Sequence, residues 1–269
     1  MSHFVVGVIV DKPELRLVDE ALAPFDENIK VPKYVEYTKE QLIEKGKKEF
    51  EQYKNTTYKE FLENPDEYEK NCTNKQHIKY LKEEFPKQFE WTDEDFYKEE
   101  IHWYEPNEIG KNGEVYSTYN PKSKWDWYNI CPKETTHRYI SATEDNAFYQ
   151  IKDFPRINQE EYLKAIRFWE VEIDGQPLKE GEEPFFNHIK KEWYLKTFKN
   201  KEMFANVARI NHPYALLFNG EWFEKGKIYG FGFSDETSES LGNYLQLWNR
   251  IINDPKNQDK YIALVNCHI

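Results

Sequence analysis

The sequence predicts an α+β fold: a mixed or antiparallel sheet that contains both terminal strands, with a charged helical subdomain packed beside it. Three observations lead there. Val5-Val6-Gly7-Val8-Ile9-Val10 and Tyr261-Ile262-Ala263-Leu264-Val265 are short apolar runs near the two ends, the pattern of strands buried on both faces. Ala215 to Phe218 and Glu221 to Glu224 flank Asn219-Gly220, the dipeptide best suited to a two-residue hairpin turn. Residues 38 to 105 combine helical spacing of apolar side chains with dense charge.

In order along the chain, the first strand leads through Pro13 into a helix whose apolar stripe is Leu15, Val18 and Leu22. Ala23-Pro24-Phe25-Asp26 ends it, and an extended segment follows through Val31 to Tyr37. Thr38 with Gln41 then forms a capping-box pattern, with Leu42, Ile43, Phe50 and Tyr53 on one face. A second helix covers His77 to Phe85. A third begins at Thr92, where Asp93, Glu94 and Asp95 complement the helix dipole. The intervening Glu and Lys residues read as solvated faces. Turn residues punctuate 109 to 140. Arg167 to Ile173 alternates like a strand, with Asp174-Gly175 as its turn. Rings and glycines alternate over Tyr229-Gly230-Phe231-Gly232-Phe233, as in bends or close backbone approaches. Ser234 or Asp235 caps a last helix with the stripe Leu241, Tyr244, Leu245, Trp248, Ile251 and Ile252.

The 269 residues suffice for one α+β domain over 1–269, with 38–105 as a helical insertion or subdomain. Charged residues make up 32%, which suggests disorder until the 17% aromatic content is counted; rings here replace aliphatic side chains as core material. The formal charge of −12 disfavours general nucleic-acid binding, but leaves a local pocket for a small nucleotide, or a basic partner surface. Self-association into a homo-oligomer is equally compatible with it. No apolar stretch approaches 18 residues, so no membrane partner is expected, and the start reads as a strand with no leader. Three dispersed cysteines, Cys72, Cys131 and Cys267, suit a reducing cytoplasm.

The densest local signal is Lys124-Trp125-Asp126-Trp127-Tyr128. In a strand, Trp125 and Trp127 share one face, and two rings can grip a planar ligand. Lys124 is then placed for a phosphate, Asp126 can accept from ribose or base donors and shares the other face with Tyr128, and Arg138 with Lys133 adds positive charge for an anionic ligand. The competing reading is that both tryptophans fill the core. Cys131 and His137 are six apart, but no second pair completes a zinc site, so no metal is expected. No phosphate loop, dinucleotide fingerprint or His-Glu-x-x-His motif is present, so no catalytic residue and no cofactor are assigned. His3, His77, His102, His188 and His212 read as structural or exposed.

The stretch from Ser117 to Ile130, with Lys124-Trp125-Asp126-Trp127-Tyr128 at its heart, resembles a group of uncharacterised bacteriophage and prophage proteins. Ala23-Pro24-Phe25-Asp26-Glu27-Asn28, Gly220 to Gly226 and the ending Cys267-His268-Ile269 are similar to the same group. The chain departs from that pattern at Cys131-Pro132-Lys133-Glu134, where Gly-Gly-Arg-Trp is expected, and at Asn266, where Asp is expected. The resemblance implies a phage accessory protein in the host cytoplasm that counters host immunity by binding, either sequestering a nucleotide signal or inhibiting a defence protein. A nucleotide hydrolase using Asp126, His137 or His268, or a structural or assembly protein of the phage particle, is the alternative.

Overall fold

In a computed structural model, the structure describes residues 2–187, 189–229 and 234–269. Two compact units emerge: Met1–Ile29 with Asn120–Ile269, and Lys30–Tyr119.

The first unit opens with β1 (His3–Val10) and α1 (Leu15–Leu22). The second unit holds β2 (Tyr34–Tyr37), α2 (Lys39–Tyr53), α3 (Lys59–Glu63), α4 (Pro65–Asn71), α5 (Lys75–Lys79), α6 (Asp93–Ile101) and β3 (Val115–Ser117). Returning to the first unit, the chain forms β4 (Trp127–Ile130), α7 (Glu144–Ala147), β5 (Phe148–Gln150), α8 (Gln159–Phe168), α9 (Lys191–Thr197) and α10 (Lys201–Ala208). It ends with β6 (Ala215–Phe218), β7 (Glu221–Glu224), α11 (Ser238–Asn253) and β8 (Tyr261–His268).

The fold is α+β. Its main sheet runs β4-β8-β1-β6-β7, and β5 pairs β8 on the same edge as β4. β1 is parallel to β6 and antiparallel to β8, so the sheet is mixed and contains both terminal strands. The apolar runs of β1 and β8 reflect burial on two sides. Phe4, Val6, Val8, Val265 and Cys267 pack with Val18 and Leu22 of α1, whereas Ile9 and Ile262 pack under Tyr244, Trp248 and Ile252 of α11. Gly7 is required between them: a Cβ there would stand 2.9 Å from the Pro213 ring and 3.0 Å from Ile262. Asn219 and Gly220 both take positive φ (52° and 77°), the two left-handed positions that a β6–β7 turn matching the sheet twist requires.

Two local expectations are corrected. Arg167 to Ile173 is helical, continuing α8, and not a strand. The stripe that decides it is Ala165, Trp169 and Ile173, all buried at i, i+4 spacing, and Asn158 caps the helix by accepting from the Glu160 and Glu161 amides. The cap of α11 is Thr237, which forms a capping box with Ser240, and not Ser234 or Asp235. Apart from Tyr229, the expected ring–glycine alternation lies outside the described residues.

In the second unit, the expected Thr38–Gln41 capping box is formed, and Thr92, the expected start of a helix, forms another with Asp95. Part of the helical charge links α2 to α6 through Lys39–Glu94 (2.7 Å), Lys45–Glu100 (2.6 Å) and Lys47–Asp93 (2.5 Å). Exposed pairs such as Lys47–Asp93 contribute little individually, whereas Glu100 is buried.

His212 gives the first unit a pH response. Burial pushes its imidazole down to about 4, with nearby Lys225 acting in the same direction and the bond to the Pro213 carbonyl opposing. The neutral form belongs to the fold, so stability is complete above the unfolded value near 6.5 and declines as pH falls from there to about 4. The unfolded chain binds the proton first across that window. We expect urea titrations to show about 1–3 kcal/mol more loss over it in the wild type than in His212→Asn. Equal losses in both proteins would refute this.

Candidate ligand site at the end of the sheet

Strand register assembles the site. His3 on β1, His268 on β8 and Trp127 on β4 stand directly opposite one another across three adjacent strands. Cross-strand partners share a face, and here it is the one that carries Ile9 and Ile262 under α11 further along. The same face therefore changes from apolar beneath the helix to polar at its end. The three rings form a near-equilateral cluster: His3–His268 5.0 Å, His3–Trp127 5.2 Å and Trp127–His268 5.3 Å between centroids. Trp127 lies almost parallel to the His268 imidazole, at 19°, and keeps 39% of its surface exposed.

Hydrogen bonds fix both imidazoles. His268 Nδ1 is 2.6 Å from Asp126 Oδ1. An ionised carboxylate only accepts, so Nδ1 carries the proton, and in the neutral ring Nε2 keeps its lone pair. His268 Nε2 is buried and has no hydrogen-bond partner among the described residues. Asn266 Nδ2 donates to the Thr136 carbonyl at 2.9 Å, which turns its Oδ1 toward His3 Nδ1, also at 2.9 Å. His3 is thus held in the same tautomer as His268. The segment 131–142 is pinned to this end of the sheet at two further points. Asn129 Nδ2 donates to the Ile140 carbonyl (2.7 Å), and Asn129 Oδ1 accepts from Ser141 Oγ (2.7 Å).

The residues singled out in the sequence separate into two groups. Asp126 and Trp127 enter the site. Trp125 does not share a face with Trp127: it precedes the strand, is 6% exposed, and donates from Nε1 to the Leu22 carbonyl within the α1 core. Tyr128 packs edge-on against Trp125 at 4.8 Å and donates to Asp19; burial first, then that carboxylate, pushes its phenol up. Lys124 is paired with Glu224 at 2.7 Å, and Glu224 also accepts from Trp222 Nε1 at 2.9 Å. The cavity beside Lys124 is about 30 Å3, room for a water but not for a nucleotide. Arg138 sits on the pinned segment, its guanidinium 4.7 Å from the Tyr139 ring.

Comparison with known proteins finds no matching family, no similar curated relative and no matching solved structure. The site therefore has to be understood from its own chemistry. Cys131 and His137 do not act as a pair: Cys131 is buried with its thiol pushed up by burial, while His137 is exposed against Tyr139. Among the described residues no three His, Cys, Asp or Glu side chains converge as a metal site. No helix among them is long and apolar enough to cross a membrane.

His3 and Asn266 are the site residues that sequence reasoning missed. A usable signal was present. If both terminal strands lie side by side and antiparallel, His3 and His268 must stand at the same end of the sheet.

Proposed function

We propose that the Trp127–His268–His3 corner binds a planar, hydrogen-bonding ligand of the nucleotide type. On this proposal the protein is a phage-encoded accessory protein that counters host immunity by binding. The observation that carries the ligand proposal is the partly exposed Trp127 ring parallel to an imidazole whose buried Nε2 lacks a partner. A buried acceptor left unpaired costs about 1–3 kcal/mol, so the site suits a partner that brings an N–H or O–H donor. Bases and ribose hydroxyls supply such donors, and base stacking on tryptophan adds sequence-tolerant affinity. Arg138 is the candidate for ligand charge, because Lys124 is already engaged by Glu224. The phage setting rests on the resemblance of the Ser117 to Ile130 stretch, and inhibition of a host defence protein is the other form that binding would take.

A second reading is favoured by one specific feature, the Asp126–His268 hydrogen bond. A carboxylate that orients an imidazole is the arrangement used for general bases, and a water at Nε2 would be the nucleophile of a nucleotide hydrolase.

Calorimetry against a panel of cyclic and ADP-ribose-type nucleotides tests both. Saturable heat, with the nucleotide recovered intact after heat denaturation, is the expected result. Recovery of a cleaved product would move the assignment to the hydrolase. No heat with any member, together with co-purification of a host protein, would replace the ligand by a protein partner.

A further inference from the structure

The second unit contains a cavity of about 180 Å3 between α2, α6 and the segment 80–91. It lies apart from the sheet-end site in sequence and chemistry. Phe50, Tyr53, Tyr80, Phe85, Trp91 and Phe96 line it. Their rings are linked in one network, with Phe50–Phe85 stacked at 5.4 Å, Tyr53–Phe85 at 4.8 Å and Trp91–Phe96 edge-on at 5.3 Å. Aromatic faces are electronegative, so a hollow walled by them favours a cation over a neutral guest of equal size.

The remaining walls agree with that preference. Glu49, Glu99 and Glu100 are among the lining residues, and among the described residues no lysine or arginine is, although Lys45 stands 3.8 Å from the Glu49 carboxylate. Glu100 is buried, with its Oε2 taken by Lys45 at 2.6 Å. Its Oε1 lies 3.5 Å from where a Cβ would be on Gly46, another lining residue. The Tyr53 hydroxyl is buried and has no hydrogen-bond partner among the described residues. Burial, with Tyr80 and Tyr68 nearby, pushes that phenol up to about 12, so it stays neutral and able to accept.

We propose that this cavity is a binding site for an alkylammonium head group. The ring faces would surround the cation, Glu100 would pair with it, and the Tyr53 hydroxyl would accept one of its N–H bonds. The volume is close to the roughly 150 Å3 that accommodates benzene, which suits a short alkyl chain and its ammonium.

Calorimetry of the full chain with n-butylammonium, and with 1-butanol as the neutral counterpart, tests the assignment. Butylammonium should bind at millimolar concentration, with 1-butanol at least about tenfold weaker, since desolvated cation–π contact and ion pairing are lost. Tyr53→Phe keeps the ring and removes only the orphan hydroxyl. It should melt no lower than the wild type, yet bind butylammonium about three- to tenfold more weakly. Glu100→Gln should weaken binding at least as much, and Tyr53→Phe keeps the test valid if loss of the Lys45 partner unfolds that variant. Equal affinity for the amine and the alcohol, unchanged butylammonium binding in Tyr53→Phe, or no binding of butylammonium would each overturn the proposal.

Discussion

Trp248→Ala is expected to cost the fold about 3–5 kcal/mol, the largest stability loss predicted for a single substitution here. Trp248 is 1% exposed at the centre of the α11 stripe, between Tyr244, Ile251 and Ile252. Its ring meets Phe154 edge-on at 5.7 Å, and the cluster continues into Ile9, Leu216 and Ile262 on the sheet. Alanine is the best helix former, so α11 loses no intrinsic propensity and the measured loss reports packing alone. No neighbouring element is free to fill a hole of indole size, because Ile151, Leu216 and Ile262 are themselves fully buried strand and turn residues. Urea unfolding compares it with Trp103→Ala, whose ring is 74% exposed and whose loss should be within about 0.5 kcal/mol of zero. Similar losses for both would show that α11 does not organise this side of the sheet.

The contrast between these tryptophans also explains what could be read in the sequence. Where one periodicity dominated over enough residues, the residues alone sufficed: β1, β8, the Asn219-Gly220 hairpin and the α11 stripe all follow from pattern and turn chemistry. Arg167 to Ile173 failed because Phe, Trp, Val and Ile fit both periods over a short window. Long-range packing of Trp169 and Ile173 with Tyr194 and Phe198 decides for helix. The site was half legible. Asp126 and Trp127 stood out as a dense ring tract, but the face each side chain takes depends on where the strand begins. With β4 starting at Trp127, the alternation does not reach back to Trp125, which lies in the α1 core instead of beside Trp127. Neither His3 nor Asn266 carries a local signal of site membership. They become site residues only through the register of β1 on β8, a pairing across nearly the whole chain.

Two substitutions at the sheet end should separate ligand binding from catalysis, using whichever nucleotide of the panel binds. Trp127→Ala removes a ring that is 39% exposed, so the fold should tolerate it. Affinity should fall about 10–100-fold, because stacking on a base contributes about 1–3 kcal/mol. Asp126→Asn is nearly isosteric, and its side-chain oxygen still accepts from His268 Nδ1. A site that only binds needs the imidazole held in place, so affinity should fall by less than about tenfold. A hydrolase needs more from Asp126. Its charge must hold the imidazole in the right tautomer and stabilise the imidazolium that forms as Nε2 takes a proton from water, and the corresponding change in a Ser-His-Asp triad costs about 10⁴ in kcat through the wrong tautomer. Binding therefore predicts that Trp127→Ala is the more damaging variant, and catalysis predicts Asp126→Asn. Turnover that collapses in Asp126→Asn while affinity holds would make His268 a general base and end the binding-only assignment. The ordering is decisive because each substitution removes one property, ring area or negative charge, from the same imidazole.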